Sequence, residues 1–389
     1  MPSELLRGRI KQFEEYRRFA KLAREQTGKS VARQAIEIHG LRNHGGACGV
    51  SDYYWFKLYD DAYLYGEGRR DFLGWRLQTD FSLALNPRNA VLPAWDKCVF
   101  AQLATAAGLP IVPVHACFHP SKSVSGVLGE HLHTPRAVGE YLRNPSLYPL
   151  FGKPAYSQQG YGSVYFAGYD SARDRLNLLN GDSIAIDDFT QRLTKSVDER
   201  YHRPECGFVF QRALVLAPEI QEISGWTAIC GVRIICLNGP NGVKPIRAIW
   251  KIAVPPNHVD NFSLGKYGNL LADIDLDGGE VSRCIRGLWP YTEVHATHPA
   301  SGRSMLGFKV PGWGRLLEIC EEAGKVFPLM KIHHWDFAIT DQGPLILELN
   351  DIGSTEIAQV HGRGLLSKET REFLKRFGNR NLFPWISAI

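Results

Sequence analysis

Residues 335–350 read WDFAITDQGPLILELN, and the pattern of this stretch decides the fold. Phe337–Thr340 is a short β-prone run, Asp341-Gln342-Gly343 supplies turn residues, and Leu345–Leu349 is apolar enough for a central strand. Such a segment folds as a β-hairpin about Gln342. Asp336 then lies opposite Glu348, and the two-residue period of a strand puts Asn350 on the face of Glu348. Three oxygen donors converge. Opposed carboxylates repel and lower stability unless a cation relieves them, and hydrated Mg²⁺ prefers ligands of this kind. The alternative is a surface hairpin whose carboxylates face water. A carboxylate ending the run Leu345-Ile346-Leu347 argues against that.

Composition narrows the setting. A chain of 389 residues with 44% hydrophobic content can bury a sizeable core and is expected to hold two or three domains or subdomains. No apolar run approaches the ~20 residues that cross a bilayer, and the N-terminus has no apolar signal core, so a cytoplasmic protein without a membrane span is expected. The eight cysteines show no paired zinc spacing and sit in apolar contexts, which argues for reduced, buried thiols. A net charge of +5 is small for this length and does not call for nucleic acid.

Upstream of the hairpin, residues 5–39 carry Leu6, Ile10, Phe13, Tyr16, Phe19, Ala20 and Ala23 at helical spacing. This amphipathic leader is expected to pack on the body of the protein, anchored by the aromatic-rich stretch 51–74. Asp96 reads as a helix N-cap with Lys97 just inside; Phe100, Leu103, Ala104 and Ala107 follow one face, and Ile111–Val114 reads as a strand. Residues 147–153 are a further strand candidate. It leads into the small-residue loop from Pro154 through Gly160 and Gly162 to Ser163, and then into a strand over 164–169. Glycines in such a flap let backbone N–H groups approach phosphate oxygens closely, with Lys153 beneath. The run Gly207–Leu214 is an apolar strand ending in a polar switch. Strands over 227–237 and 248–254 embed Arg233 and Lys251, and each buried cation must meet a carboxylate or a ligand anion.

The hairpin resembles the metal-binding hairpin of the ATP-grasp superfamily. Its particular form, WD-x-A-I-T-x-x-G-P-x-x-x-E-x-N followed by HGRGLL at 361–366, is similar to the sugar-transfer-associated branch. The resemblance implies an α+β ATP-grasp fold, two α+β subdomains sandwiching the nucleotide, with a mostly helical N-terminal region. The implied division is 1–90, then 91–210 with the first helix and the lid, then 211–389 with the metal hairpin. It implies Asp336, Glu348 and Asn350 as ligands of Mg²⁺. Lys97, Lys153, Ser157, Gly160, Gly162 and Ser163 would meet the phosphates of ATP, and Gln211, Arg212, Ala213 and Leu214 would form the adenine hinge. Arg233 and Lys251 would be catalytic cations, and the segment 259–265 a loop near the reacting centre, although Lys266 stands where the branch has a second glycine.

The activity so implied is an ATP-dependent carboxylate–amine ligase working through an acyl phosphate, with small-molecule carboxylate and amine substrates. The alternative is a kinase that passes phosphate to a hydroxyl. Ligases of this superfamily often carry an Arg just before the first metal carboxylate; here stand His333-His334-Trp335, read as packing and solvent contacts. The acceptor pocket is expected from the N-terminal region and from the loop 291–303, with His295, His298 and Arg303 as anion-binding candidates. The oligomeric state is open, a homodimer being one option.

Overall fold

Gly28 and Ser30 divide the leader. Gly28 takes a left-handed φ of +73°, which closes the helix Pro2–Thr27, and the Ser30 side chain caps the helix Val31–Arg42 by accepting from the Arg33 N–H. The single helix expected over 5–39 is therefore two. The computed structural model describes residues 2–65, 68–121, 128–157, 160–195, 204–257 and 259–389; side chains of residues 2–10, and hence Leu6 and Ile10, lie outside the described set, as do Gln158 and Gln159 of the flap. Phe19, Ala20 and Ala23 do pack on the body, among Tyr53, Tyr54, Tyr59 and Trp289. Tyr54 stacks on Trp289 with ring centroids 5.6 Å apart, and Tyr53, Tyr54, Phe56, Tyr59 and Phe72 of the aromatic stretch are core, whereas Tyr65 is exposed.

Two seven-stranded sheets carry the rest. The first is built from β1 (Val114–Phe118), β2 (Glu130–Leu132), β3 (Leu150–Pro154), β4 (Val164–Asp170), β5 (Arg175–Leu178), β6 (Ser183–Ala185) and β7 (Phe208–Arg212), in the order β2-β1-β7-β3-β4-β5-β6. The second holds β8 (Val232–Gly239), β9 (Gly242–Ile252), β10 (Leu270–Ile274), β11 (Val281–Arg286), β12 (Glu293–Val294), β13 (Ile332–Thr340) and β14 (Gly343–Asn350), in the order β12-β11-β10-β9-β8-β13-β14. Strand ends shift from expectation where proline intervenes. Ile111 makes only an isolated bridge to Ile346, and β1 begins after Pro113, because proline has no N–H to give a ladder.

Alternation sorts the second sheet into two chemically different faces. Val232, Ile234, Ala248, Trp250, Leu270 and Ala272 point to a core closed by Leu316, Ile319, Cys320 and Ala323 of the helix Trp313–Val326. The opposite face carries Arg233, Lys251, Asp336 and, further along, Arg247, Asp273 and Arg283. It is a charged face roofed by protein. All eight cysteines are free, as expected, and seven are buried. No described helix is long and apolar enough to cross a membrane.

Candidate active site

The hairpin forms, but its register has a cause that the turn alone would not supply. Thr340 pairs with Gly343 across a two-residue turn, Asp341-Gln342, rather than across a turn centred on Gln342. Continued evenly, that register would set Asp336 against Leu347. A β-bulge between Asp336 and Phe337 leaves Leu347 unpaired and restores Asp336 opposite Glu348. The released Leu347 carbonyl accepts from Lys153 Nζ at 3.4 Å, so the bulge links the lid sheet to the hairpin.

Asp336 is 2% exposed and does not await a cation, because two are already there. Arg233 grips it with two hydrogen bonds of 2.6 Å, from Nε to Oδ1 and from Nη2 to Oδ2, and Lys251 Nζ lies 3.3 Å from Oδ2. Burial opposes ionisation of this carboxyl, but Arg233 and Lys251 outweigh it and hold the group well below the usual carboxylate range. The repulsion argument for a metal is corrected accordingly: resident arginine and lysine already supply countercharge. Of the two readings open for Arg233 and Lys251, the internal salt bridge is the one observed. Arg233 also donates to the Gly353 carbonyl at 2.9 Å and is held firmly charged by Asp336 despite its burial.

Lys251 meets a second carboxylate that the motif segment supplies. Asp260 Oδ2 lies 3.6 Å from Lys251 Nζ and accepts the Gly231 N–H at 2.7 Å. Burial raises the Asp260 carboxyl, with Lys251 opposing; for Lys251, burial lowers the ammonium but Asp260 and Asp336 outweigh it. Asp260 is a site residue that the sequence located only as part of a loop; its motif was the available signal. Lys266 needs no glycine, since it sits at φ −58° and ψ −37°. Gly265 does, because a Cβ there would lie 2.4 Å from the Gly287 Cα.

The Glu348 charge favours the protonated form of four cations, Lys97, Lys153, Arg233 and Lys251. Asn350 Nδ2 donates to Glu348 Oε1 at 3.3 Å. Among the described residues no group of three or more His, Cys, Asp or Glu is placed to hold a metal ion. The set Asp336, Glu348 and Asn350 has two carboxylates and one amide, hard oxygen donors in register on one face, and fits magnesium by the chemistry of its donors.

The expected phosphate side is assembled from local signals. Asp96 caps the helix Lys97–Ala106 by accepting from the Cys98 and Val99 N–H groups. Lys97 Nζ donates to the Ser157 carbonyl at 3.0 Å, at the base of the flap. Gly160 and Gly162 both have φ of +75°, and the Ser163 N–H closes a turn on the Gly160 carbonyl at 3.1 Å. Burial lowers Lys97 and pushes Lys153 to about 8, with Glu348 opposing in both. A cavity lined by Lys97, Phe100, Ile111, Lys153, Gln211 and Ile346 lies between the sheets. Within the hinge, Gln211 Nε2 donates to the Val112 carbonyl at 3.2 Å and Ala213 is buried, whereas the Arg212 side chain faces outward and Leu214 is half-buried. Trp95 was not foreseen. It stacks on Tyr156 at 5.6 Å and donates to Asp351 Oδ2 at 3.1 Å, tying the flap base to the end of β14.

His333 and His334 are fully buried, so the expected solvent contact is corrected. His333 packs edge-on against Trp335; burial pushes it to about 4 and pushes His334, with Arg233 nearby, to about 3. Both are neutral. Of the loop candidates for an acceptor anion, Arg303 lies 3.7 Å from Glu222 with both side chains exposed, His295 lies 3.3 Å from Glu293, and His298 is buried.

This fold and site define an ATP-grasp protein. The sugar-transfer associated ATP-grasp family matches residues 76–374, and the chain belongs to that family. No curated protein matches the sequence. Among solved structures, the chain is similar to the ATP-grasp ligase PsnB complexed with minimal precursor, at 15% identity over 69% of this chain and 56% of that one, TM-score 0.33. It is similar to an L-amino acid ligase from Bacillus licheniformis at 12% identity, covering 67% and 44%, TM-score 0.37. VanG D-Ala:D-Ser ligase from Enterococcus faecalis matches at 12% identity, covering 77% and 68%, TM-score 0.41. The chain spans about half the length of the first two of these structures.

Proposed function

We propose that this protein is an ATP-dependent ligase that joins a small-molecule carboxylate to an amine. The observation that supports the reading is the register of Glu348 opposite Asp336, with Lys153 Nζ reaching the neighbouring Leu347 carbonyl at 3.4 Å and Lys251 Nζ 3.3 Å from Asp336 Oδ2. Phosphoryl transfer needs cations for the charge that develops, and a closing cover that keeps water from a labile acyl phosphate. Lys97 and Lys153 hold the nucleotide phosphates, with Ser157, Gly160, Gly162 and Ser163 offering flap contacts; Gln211 to Leu214 form the adenine edge. Glu348 and Asn350, with Asp336 opposite and already paired to Arg233 and Lys251, would hold magnesium, which would neutralise phosphate charge.

A substrate carboxylate oxygen bonds to the γ-phosphorus as the bond to the β-bridging oxygen breaks, and ADP departs. An amine then attacks the acyl carbon, phosphate leaves, and the amine gives up a proton. Lys251, whose ammonium is shared between two carboxylates, is the cation that meets the acyl phosphate. Arg233 is a positioning residue: its fork is committed to Asp336 and fixes that carboxylate.

Hydroxylamine added to enzyme, ATP and a panel of amino acids, peptides and sugar acids is expected to give a hydroxamate. ADP release accompanied by a phosphorylated product and no hydroxamate would make the protein a kinase and refute the ligase reading. The Lys153 ammonium supplies a second test. It is charged below about 8 and neutral above, so ADP affinity is expected to fall by about tenfold or more as pH rises through that value. Lys153→Gln should bind ADP weakly and without this dependence; a parallel pH profile in the variant would remove Lys153 from the phosphates.

A further inference from the structure

The motif HGRGLL finds no use in the nucleotide cleft, and its parts divide by physics. Gly362 and Gly364 allow close approach, since a Cβ would lie 2.4 Å from the Tyr63 carbonyl oxygen in the first case and 2.1 Å from the Asp71 carbonyl oxygen in the second. Leu365 and Leu366 anchor in a buried apolar cluster. What remains is His361 and Arg363, held against the charged face of the second sheet.

Four cations gather there. Arg283 lies over the Tyr63 ring at 4.5 Å and the Tyr65 ring at 5.4 Å; Arg363 lies over Tyr65 at 5.0 Å and Lys57 over Tyr63 at 4.6 Å. Arg247 follows on β9, donating from Nη2 to the Gly364 carbonyl at 2.7 Å. None of the four has a described carboxylate within ion-pairing distance. Asp60, Asp71 and Asp273 are nearby acids; Asp71 pairs with Arg371 at 3.0 Å, and Asp273 Oδ2 accepts from the Ser282 hydroxyl at 2.8 Å. Buried polar atoms are left over as well: Arg247 Nε, Asp273 Oδ1 and both ring nitrogens of His361 have no partner. Arg247 and His361 are 8% and 1% exposed, so bulk water does not satisfy them.

A buried arginine without countercharge is costly, and burial pushes Arg247 down to about 10 and His361, with the arginines nearby, to about 4. Among the described residues the relief is by neutral acceptors alone: Arg247 donates to the Gly364 carbonyl, and Arg283 to the His361 carbonyl at 2.9 Å and the Tyr65 hydroxyl at 3.0 Å. The Arg363 fork makes no hydrogen bond to a described residue and Arg247 Nε is unpartnered, and such planar guanidinium groups suit an oxyanion, whether carboxylate or phosphate. We propose that Arg247, Arg283, Arg363 and Lys57, with His361 behind them and Tyr63 and Tyr65 holding the guanidinium groups in place, form a binding site for a small anionic ligand, separate from the nucleotide cleft. In the sheet order β8 lies between Arg247 on β9 and Asp336 on β13, and β10, β9 and β8 lie between Arg283 on β11 and Asp336, with Ile249 pairing between Arg233 and Asp273. The site does not depend on the ligase reading.

Calorimetric titration of the full chain at low ionic strength, with inorganic phosphate in one arm and glucuronate in the other, tests this. At least one should bind, and added salt should weaken it. Binding should survive Lys153→Gln and fall about tenfold or more in Arg363→Gln, with Arg363→Lys retaining part of it. Arg363 is half-buried and makes no hydrogen bond to a described residue, so its variants should fold; Arg283→Gln gives an independent second variant. Phosphate alone binding assigns a phosphate group, glucuronate alone a carboxylate, and either supports the site. Binding of neither anion would overturn it, as would binding lost in Lys153→Gln and untouched in Arg363→Gln.

Discussion

Replacing Glu348 with Gln is expected to lower ADP formation at least about a hundredfold while leaving the unfolding midpoint close to that of the parent protein. The carboxylate faces four cations, so its charge sets the field in which phosphates sit. Yet its side chain is only partly buried and accepts the 3.3 Å hydrogen bond from Asn350, which a Gln Oε1 also accepts. Function and stability therefore separate at this position. Initial rates of ADP release and a denaturant melt, run on both proteins, check it. Turnover within a few-fold of the parent would remove Glu348 from the phosphoryl-transfer machinery.

Arg233→Met is expected to act in the opposite way, through stability. It leaves buried Asp336 and half-buried Asp260 with only Lys251 between them, and breaking one side of a buried ion pair costs about 3–5 kcal/mol. Coupling Arg233→Met to Asp336→Leu removes the orphaned charge, so the double variant should recover much of that loss while remaining inactive. The pH dependence follows from the sign of the shift. Asp336 is held below the usual carboxylate value in the folded state, so its pairing stabilises fully above about 4 and is lost as pH falls through the folded value. Asp260, raised by burial, works in the other direction. The parent should therefore lose more stability on acidification than the double variant. Equal acid sensitivity would mean that the Arg233–Asp336 pair contributes no net stabilisation.

How far the sequence reached depended on whether a feature was local. The Asp96 cap, the glycines at 160 and 162 and the strand alternation from Trp335 to Asn350 are short-range properties, and each element formed where its residues required. The bulge at Leu347 was not legible, although it makes the expected opposition of Asp336 and Glu348 possible: no residue type marks it, and its warrant is the contact with Lys153 in another sheet. Arg233 and Lys251 announced that they needed anions. Which anions depended on β8 and β9 lying beside β13 and on the loop carrying Asp260, a pairing across more than a hundred residues in the case of Arg233 and Asp336. The leader shows the converse failure, where helical periodicity ran on through Gly28 and Ser30 although both carried stop and start signals.

A crystal structure of the protein soaked with magnesium and a non-hydrolysable ATP analogue tests the central claim most directly. A metal is expected about 2.0–2.1 Å from oxygens of Glu348 and its neighbours on the hairpin, with the triphosphate within hydrogen-bonding reach of Lys153 and under the flap. Nucleotide bound elsewhere, or Glu348 and Asn350 turned away from both metal and phosphates, would contradict it.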